Sequence, residues 1–248
     1  MIRLLHESSE LIYNVLNGLG KFSPNFSLNF THDGLSGSKL TDDKVAMASV
    51  FIPNTAFREY EVDKPVSVTF DLGALRKSFS KVKTGSASLS LTEANGLVKL
   101  VVRDEKRGIR SSLNLRVTEG EIQKSPEPKV SSSVEFACGY KVMETAISES
   151  TVISEELEFK AFADSIELIS SEGGRTYTAI LRRDKPLKEL TIEAEASSSY
   201  SSEVLNMGLQ ALGGLGDLRI SFGNQVPIRL SAEIEGGGYL NVWVAPRL

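Results

Sequence analysis

The sequence predicts an α+β chain of two similar halves, each with two helices set against antiparallel strands. Three observations predict it. First, an order of elements recurs. Residues 66–117 read as strand, short basic helix and three strands, and residues 190–245 read as strand, helix and three strands. The offset is roughly 125–130 residues, which is the mark of a duplicated unit. Second, strand patterns dominate, with about eight or nine strands beside two helices in each half. Third, the stretch "TEGEIQKSPEPKVSS" at 118–132 is polar, holds two prolines and lacks either period. It reads as a connecting linker. The expected organisation is therefore residues 1–117, a linker at 118–132, and residues 133–248.

Each element has its own signal. Residues 2–5 are a short apolar strand. Residues 7–20 repeat Leu11, Ile12, Val15, Leu16 and Leu19 at helical spacing, with Gly20 as the stop. "FSLNFTHDGLSGSKLTDD" alternates around an Asp-Gly turn and predicts a hairpin. "KVAMASVFI" is a strand ended by Pro53, "NTAFREY" a helical turn, and "PVSVTFD" a strand. "LGALRKSFSKV" is a short amphipathic helix that buries Leu72, Leu75 and Phe79. Strands follow at about 86–91, 97–103 and 109–117, joined through Asn95–Gly96 and a Lys-Arg-Gly turn.

The second half opens with a strand and then a helix whose stripe is Val142, Met143, Ala146 and Ile147. Strands are expected at about 156–162, 166–171, 175–182 and 189–196. A helix at 201–212 carries Val204, Leu205, Leu209 and Leu212, and three closing strands end in "WVAPRL". Helices can cover only one face of such sheets, so the sheets keep open edges. Open edges invite pairing with another chain.

Composition narrows the classes. Hydrophobic residues make up 41% of the 248 and charged residues 24%, as in ordinary globular chains. No apolar run approaches the ~18 residues that span a bilayer, so no membrane partner is expected. The first residues carry acidic groups by Glu7, unlike a signal peptide. Cys138 is the only cysteine, which excludes an internal disulfide and fits a reducing compartment. The net charge of -4 hides an asymmetry. Residues 1–117 hold 16 Lys/Arg against 12 Asp/Glu, a net of +4, and the remainder holds 12 against 20, a net of -8.

Catalytic signatures are absent. His6 and His32 are the only imidazoles and belong to no metal-ligand spacing. Cys138 beside a strand–helix junction reads as packing. The glycines at 213–216 follow a helix, whereas a dinucleotide site needs them to open one. Asp42 and Asp43 are paired carboxylates in a loop without further ligands. No catalytic, metal or cofactor residue is expected.

Positive residues gather on helices instead. Arg76, Lys77 and Lys81 lie on the short helix with Lys83 after it; Lys77 and Lys81, four apart, share a face. Lys21 ends the first helix and Lys141 starts the third. A solvated face would look the same; the other reading is loose contact with a phosphate backbone. The fourth helix, "SSEVLNMGLQAL", has no basic residue.

Taken in order, "LNFTHDGLSGSKLTDDKVAMASVFIP", "FREYEVD", "VVRDEKRG", "DKPLKEL", "SSSYSSEVL", "ISFGNQVPIRLSAEI" and "VWVAPRL" resemble the proliferating cell nuclear antigen family of DNA sliding clamps over essentially all residues. "DKPLKEL" and "SSSYS" resemble its archaeal members. The resemblance implies the DNA clamp fold: two similar domains per chain, helices on the inner face, antiparallel sheets outside, and a pseudo-sixfold ring when trimeric. It implies a processivity factor, not an enzyme, that encircles double-stranded DNA without sequence specificity in the cytoplasm, at the nucleoid.

The same resemblance assigns residues. Lys21, Arg76, Lys77, Lys81, Lys83 and Lys141 would face DNA. Ile109, Ser111, Leu113 and Leu115 would form one subunit edge, and Tyr177, Ala179, Ile180 and Leu181 the edge of a neighbour, in a homotrimer or heterotrimer. Leu40, Lys44, Ile122, Pro126, Pro128, Val226, Pro227, Ala245 and Pro246 would receive short hydrophobic peptides of DNA polymerase, flap endonuclease, DNA ligase and the clamp loader. Rival readings are a checkpoint-type clamp subunit, a protein-interaction module with no DNA role, and an enzyme using surface carboxylates.

Overall fold

The computed structural model describes residues 1–79, 87–122 and 126–247, without the side chains of residues 78 and 79. The first half of the chain carries β1 (Ile2–His6), α1 (Ser9–Leu19), β2 (Asn25–Phe30), β3 (Gly34–Leu40), β4 (Ala46–Pro53), β5 (Glu59–Val62), β6 (Val66–Asp71), α2 (Leu72–Phe79), β7 (Ala87–Ala94), β8 (Leu97–Asp104), β9 (Ile109–Arg116) and β10 (Thr118–Gly120). The second carries β11 (Val134–Gly139), α3 (Tyr140–Thr151), β12 (Glu156–Phe162), β13 (Ser165–Glu172), β14 (Arg175–Arg182), β15 (Leu187–Ile192), β16 (Ser197–Ser201), α4 (Ser202–Ala211), β17 (Asp217–Phe222), β18 (Ile228–Ile234), β19 (Gly238–Val244) and β20 (Pro246–Arg247). The order of helices and strands is the same in both halves, element for element. The fold is α+β with two similar domains.

Two compact units form. Unit 1 comprises Met1–Lys39, Ser49–Glu127 and Ile234–Leu240; unit 2 comprises Leu40–Ala48, Pro128–Glu233 and Asn241–Leu248. In unit 1 an antiparallel sheet runs β5-β1-β7-β8-β9, and a second set of strands runs β10-β6-β2-β3. In unit 2 one antiparallel sheet runs β14-β13-β12-β16-β20 and another set runs β18-β17-β11-β15. The strand orders therefore repeat as the elements do.

Local chemistry places the helices. Ser8 caps α1: its Oγ accepts from Leu11 N at 3.1 Å, and Ile12, Val15 and Leu19 are buried on one stripe. Ser201 caps α4 in the same way through Val204 N. Gly208 lets α4 approach β19, because a Cβ there would lie 2.7 Å from Val242 Cγ1. Asn95 and Gly96 both take positive φ, 56° and 72°, in the turn that joins β7 to β8.

The structure departs from the expected elements in short, polar pieces. The helical turn expected over residues 54–60 is confined to a 3-10 helix at Asn54–Ala56, and Glu59 and Tyr60 instead begin β5. The linker begins with β10, whose Thr118, Glu119 and Gly120 pair with Thr69, Val68 and Ser67. Three exposed residues are too few to display a period. Serine-rich Ser197–Ser201 is a strand paired with β12 and β20, although serine carries little strand signal.

Candidate functional site

The basic residues do not behave as one set. Arg76 lies on α2 and packs its chain over the end of α1, where a Cβ on Gly20 would meet Arg76 Cδ at 3.2 Å. Lys21 follows Gly20 directly, so the backbone of Lys21 lies next to the Arg76 chain at the end of α1. Lys77 is exposed on the same helix. Lys81 and Lys83, with the Phe79 side chain, lie outside the described residues. Lys141 in unit 2 is exposed but bonded to Glu144 at 2.5 Å, so its charge is largely matched within α3. The α4 helix holds Glu203 and no basic residue. The positive charge on the helices is thus concentrated on α2 of unit 1.

The two candidate subunit edges are real sheet edges. Among the described residues, β9 pairs only with β8, and β14 pairs along its length only with β13. Along β9, Ser111, Leu113 and Leu115 are half-buried on one face, and Ile109 continues that face at 48% exposure. Along β14, Tyr177 and Ala179 are half-buried and Leu181 is buried on one face. Ile180 is on the other face, 46% exposed and directly opposite Glu167. It does not join the Tyr177–Leu181 row. Tyr177 hydrogen-bonds to Glu149, and burial followed by this carboxylate pushes its phenol up to about 12.

The β9 edge is cationic on the face away from its Leu113 row, whereas the Ile180 face of β14 is mixed, with Glu167 beside Arg182. Lys99, Arg103, Arg110 and Arg116 share one face of β8 and β9, and Arg103 lies directly across from Arg110. Like charges placed directly opposite destabilise a sheet. Arg182 takes the corresponding face of β14. Among the described residues Arg110, Arg116 and Arg182 form no ion pair.

The expected peptide-binding residues divide between the units. Leu40, Lys44, Pro128, Val226, Pro227, Ala245 and Pro246 belong to unit 2, and Ile122 and Pro126 to unit 1. In unit 2, Thr41 ties the turn before β4: its Oγ1 donates to Ala46 O and accepts from Ala46 N, both at 3.0 Å. That turn holds Lys44 at φ 61° and presents Leu40 at 43% exposure beside exposed Val45. Ala245 N donates to Val45 O at 2.8 Å, which brings the C-terminal segment to the turn. Tyr200 supplies a second tie: it pairs with Pro246 across β16–β20, and its Oη donates to Val226 O at 2.9 Å. Leu40, Val45, Val226, Pro227, Ala245 and Pro246 therefore form a fixed set of partly exposed apolar residues. The sequence reading missed Val45 and Tyr200; the tyrosine amid serines in "SSSYS" was the available signal.

Unit 1 carries a cleft of about 530 Å³ lined by Phe51, Val50, Ile122, Pro126, Tyr239 and several hydroxyls. Glu127 closes one side. It accepts from Ser49 Oγ at 2.5 Å and from Tyr239, whose phenol is raised by burial and then by this carboxylate. These contacts hold the connecting segment on unit 1, and sequence spacing gave no sign of them.

Groups capable of catalysis are spent on structure. Cys138 is buried, and burial, with Asp217 nearby, pushes its thiol up to about 12. Burial pulls the His6 imidazole below its ordinary range; its Nδ1 accepts from Ser8 N at 3.0 Å and its ring lies edge-on to Phe57. Among the described residues no group of three or more His, Cys, Asp or Glu is placed to hold a metal ion.

The similarities of the chain agree with this geometry. Residues 1–124 match the family described as proliferating cell nuclear antigen, N-terminal domain. DNA polymerase sliding clamp 1 of Saccharolobus solfataricus is 34% identical over 249 aligned residues, covering 100% of each chain. Among solved structures, a chain of the PCNA2–PCNA3 complex of Sulfolobus tokodaii superposes with a TM-score of 0.87 at 21% identity, covering 99% of each chain. The PCNA of A. fulgidus bound to the C-terminal region of FEN-1 superposes with a TM-score of 0.85 at 20% identity, covering 100% of this chain and 99% of that one. The chain belongs to the proliferating cell nuclear antigen family of DNA polymerase sliding clamps, proteins that are not enzymes.

Proposed function

We propose that this clamp is one of three subunits of a closed ring around duplex DNA, closed by antiparallel pairing of β9 with β14 of the next subunit. The observation that carries the reading is a pair of equivalences. Within the repeat, β9 and β14 hold the places of β19 and β4. The latter two already lie side by side: in unit 1 a Cβ on Gly238 would meet Phe51 O at 2.7 Å, and in unit 2 Ala245 N bonds Val45 O. The same pairing between chains would satisfy both open edges and bury the Leu113 and Tyr177 rows.

A ring holds DNA by topology, so its contacts need only be weak. Lys21, Arg76 and Lys77 suit salt-sensitive phosphate contact with no base reading; Lys81 and Lys83 extend that set. Lys141 contributes least, because Glu144 already matches it. Polymerase, flap endonuclease, ligase and clamp loader are the proposed clients, held through short hydrophobic peptides. The apolar set around Leu40, Val226 and Pro246 and the linker residues Ile122, Pro126 and Pro128 are the proposed receptor. A stiff, partly dehydrated surface binds such peptides at low ordering cost. The place of action is the cytoplasm, on chromosomal DNA. Native mass tests the assembly, with the chain alone and mixed with other clamp chains. A species of about 81 kDa, three times 27.0 kDa, supports the ring. A 27.0 kDa monomer in every mixture refutes it.

A further inference from the structure

Glu93 ends the inward row of β7, whose other members Ala87, Leu89 and Leu91 are buried. Strand alternation thus puts a carboxylate where an apolar residue belongs, and only 3% of Glu93 is exposed. Its Oε1 accepts from Gly96 N at 3.2 Å, which caps the Asn95–Gly96 turn. The same amide donates to Glu119 Oε1 at 2.9 Å. Glu119 arrives from β10, the strand that opens the connecting segment. One amide therefore holds a Glu93 oxygen and a Glu119 oxygen close together. Two carboxylates held that close repel unless one carries a proton.

We propose that Glu93 and Glu119 share one proton and so form a pH-sensitive clasp that fastens the entry of the connecting segment to the tip of the β7–β8 hairpin. A second tie, Val117 N to Gly96 O at 3.0 Å, does not titrate and keeps the clasp in register. The groups facing Glu93 are few. From β1 comes the Met1 ammonium, which favours ionisation but is already 3.3 Å from Asp63. Ile2 and Val98, directly across from Glu93 on β1 and β8, bring no charge. Against these stand burial, the larger influence, and Glu119; together they hold the Glu93 carboxyl above the usual range.

The sign follows. A carboxyl whose closed-state pKa is raised contributes fully below the ordinary carboxylate range. Its contribution is lost as pH rises through the raised value. Opening in that window releases one proton, so the opening constant grows up to about tenfold per pH unit and then levels. The clasp is closed in acid and loosened toward neutrality. The inference concerns unit 1 alone and stands whether or not the ring reading holds.

Hydrogen exchange of the Gly96 and Gly120 amides in the full chain, corrected for intrinsic pH dependence, tests it. Protection in the unaltered protein should fall by up to about tenfold per pH unit above the ordinary carboxylate range. Glu93→Gln, which donates to Glu119 without titrating, should give a flat profile. A flat profile in the unaltered protein, or the same slope in Glu93→Gln, overturns the proposal. A carbon-13 titration of the side-chain carboxyls needs no variant. Glu93 should titrate above the usual range; an ordinary Glu93 titration overturns it.

Discussion

Tyr200→Phe tests the assignment of the apolar peptide surface. Tyr200 is fully buried, its ring edge-on to Phe159 at 5.8 Å, and its hydroxyl holds Val226 O at 2.9 Å. The substitution keeps the ring and removes only that bond. Losing one neutral hydrogen bond costs about 1 kcal/mol. The Val226 carbonyl lies on a half-exposed residue and can recover water, which keeps the loss near or below that value. For a chain of this size the melting temperature should fall by about 2–4 °C. The functional effect comes from slack: Val226 and Pro227 are no longer tied to the strand that carries Pro246. Surrendering about 0.5–1 kcal/mol of preorganisation weakens a bound peptide about two- to fivefold. Calorimetric titration with a peptide from the C-terminal region of a flap endonuclease reads this directly. A lowered melting temperature with unchanged peptide affinity would refute the reasoning, because Tyr200 would then be packing alone.

Other perturbations separate the remaining assignments. Reversing Arg76 and Lys77 to Glu should speed salt-induced loss from linear DNA and leave assembled mass intact, whereas Lys141→Glu should change retention little; equal effects would reject the unequal roles given to α2 and α3. Leu113→Asp should block assembly in light scattering, and Ile180→Asp should do so far less because Ile180 faces away from the Tyr177 row; the reverse order would reassign the buried face of the edge. Glu127→Gln should weaken the tie to Ser49 and Tyr239 and raise proteolytic nicking of the connecting segment several-fold, by about 1–2 kcal/mol of lost charged hydrogen bonding; unchanged cleavage would leave Glu127 without that task.

Periodicity made the repeated halves, the four helices and the long strands legible. The Ile12–Val15–Leu19 stripe and the Asn95–Gly96 turn carried unambiguous chemistry in consecutive residues. What stayed hidden was short or long-range. Strand β10 has three exposed residues, and β16 is written in serine, so neither shows a period. Which face Ile180 occupies depends on register, since a one-residue slip reverses every side chain. Pairings such as Tyr200 with Val226, Glu127 with Ser49, and Glu93 with Glu119 join residues far apart in sequence, and nothing local announces them. The resemblance to clamps supplied positions that spacing alone could not. It offered Lys141 as a further candidate beside Arg76, and the Glu144 partner sets Lys141 apart.

The most direct test of the central claim is retention on DNA of two topologies. The assembled clamp, loaded on a nicked circle, is washed at high salt and the circle is then cut once. The ring account predicts that the clamp survives the wash on the circle and leaves rapidly after linearisation. Loss from the circle at the same rate as from linear DNA would contradict encirclement.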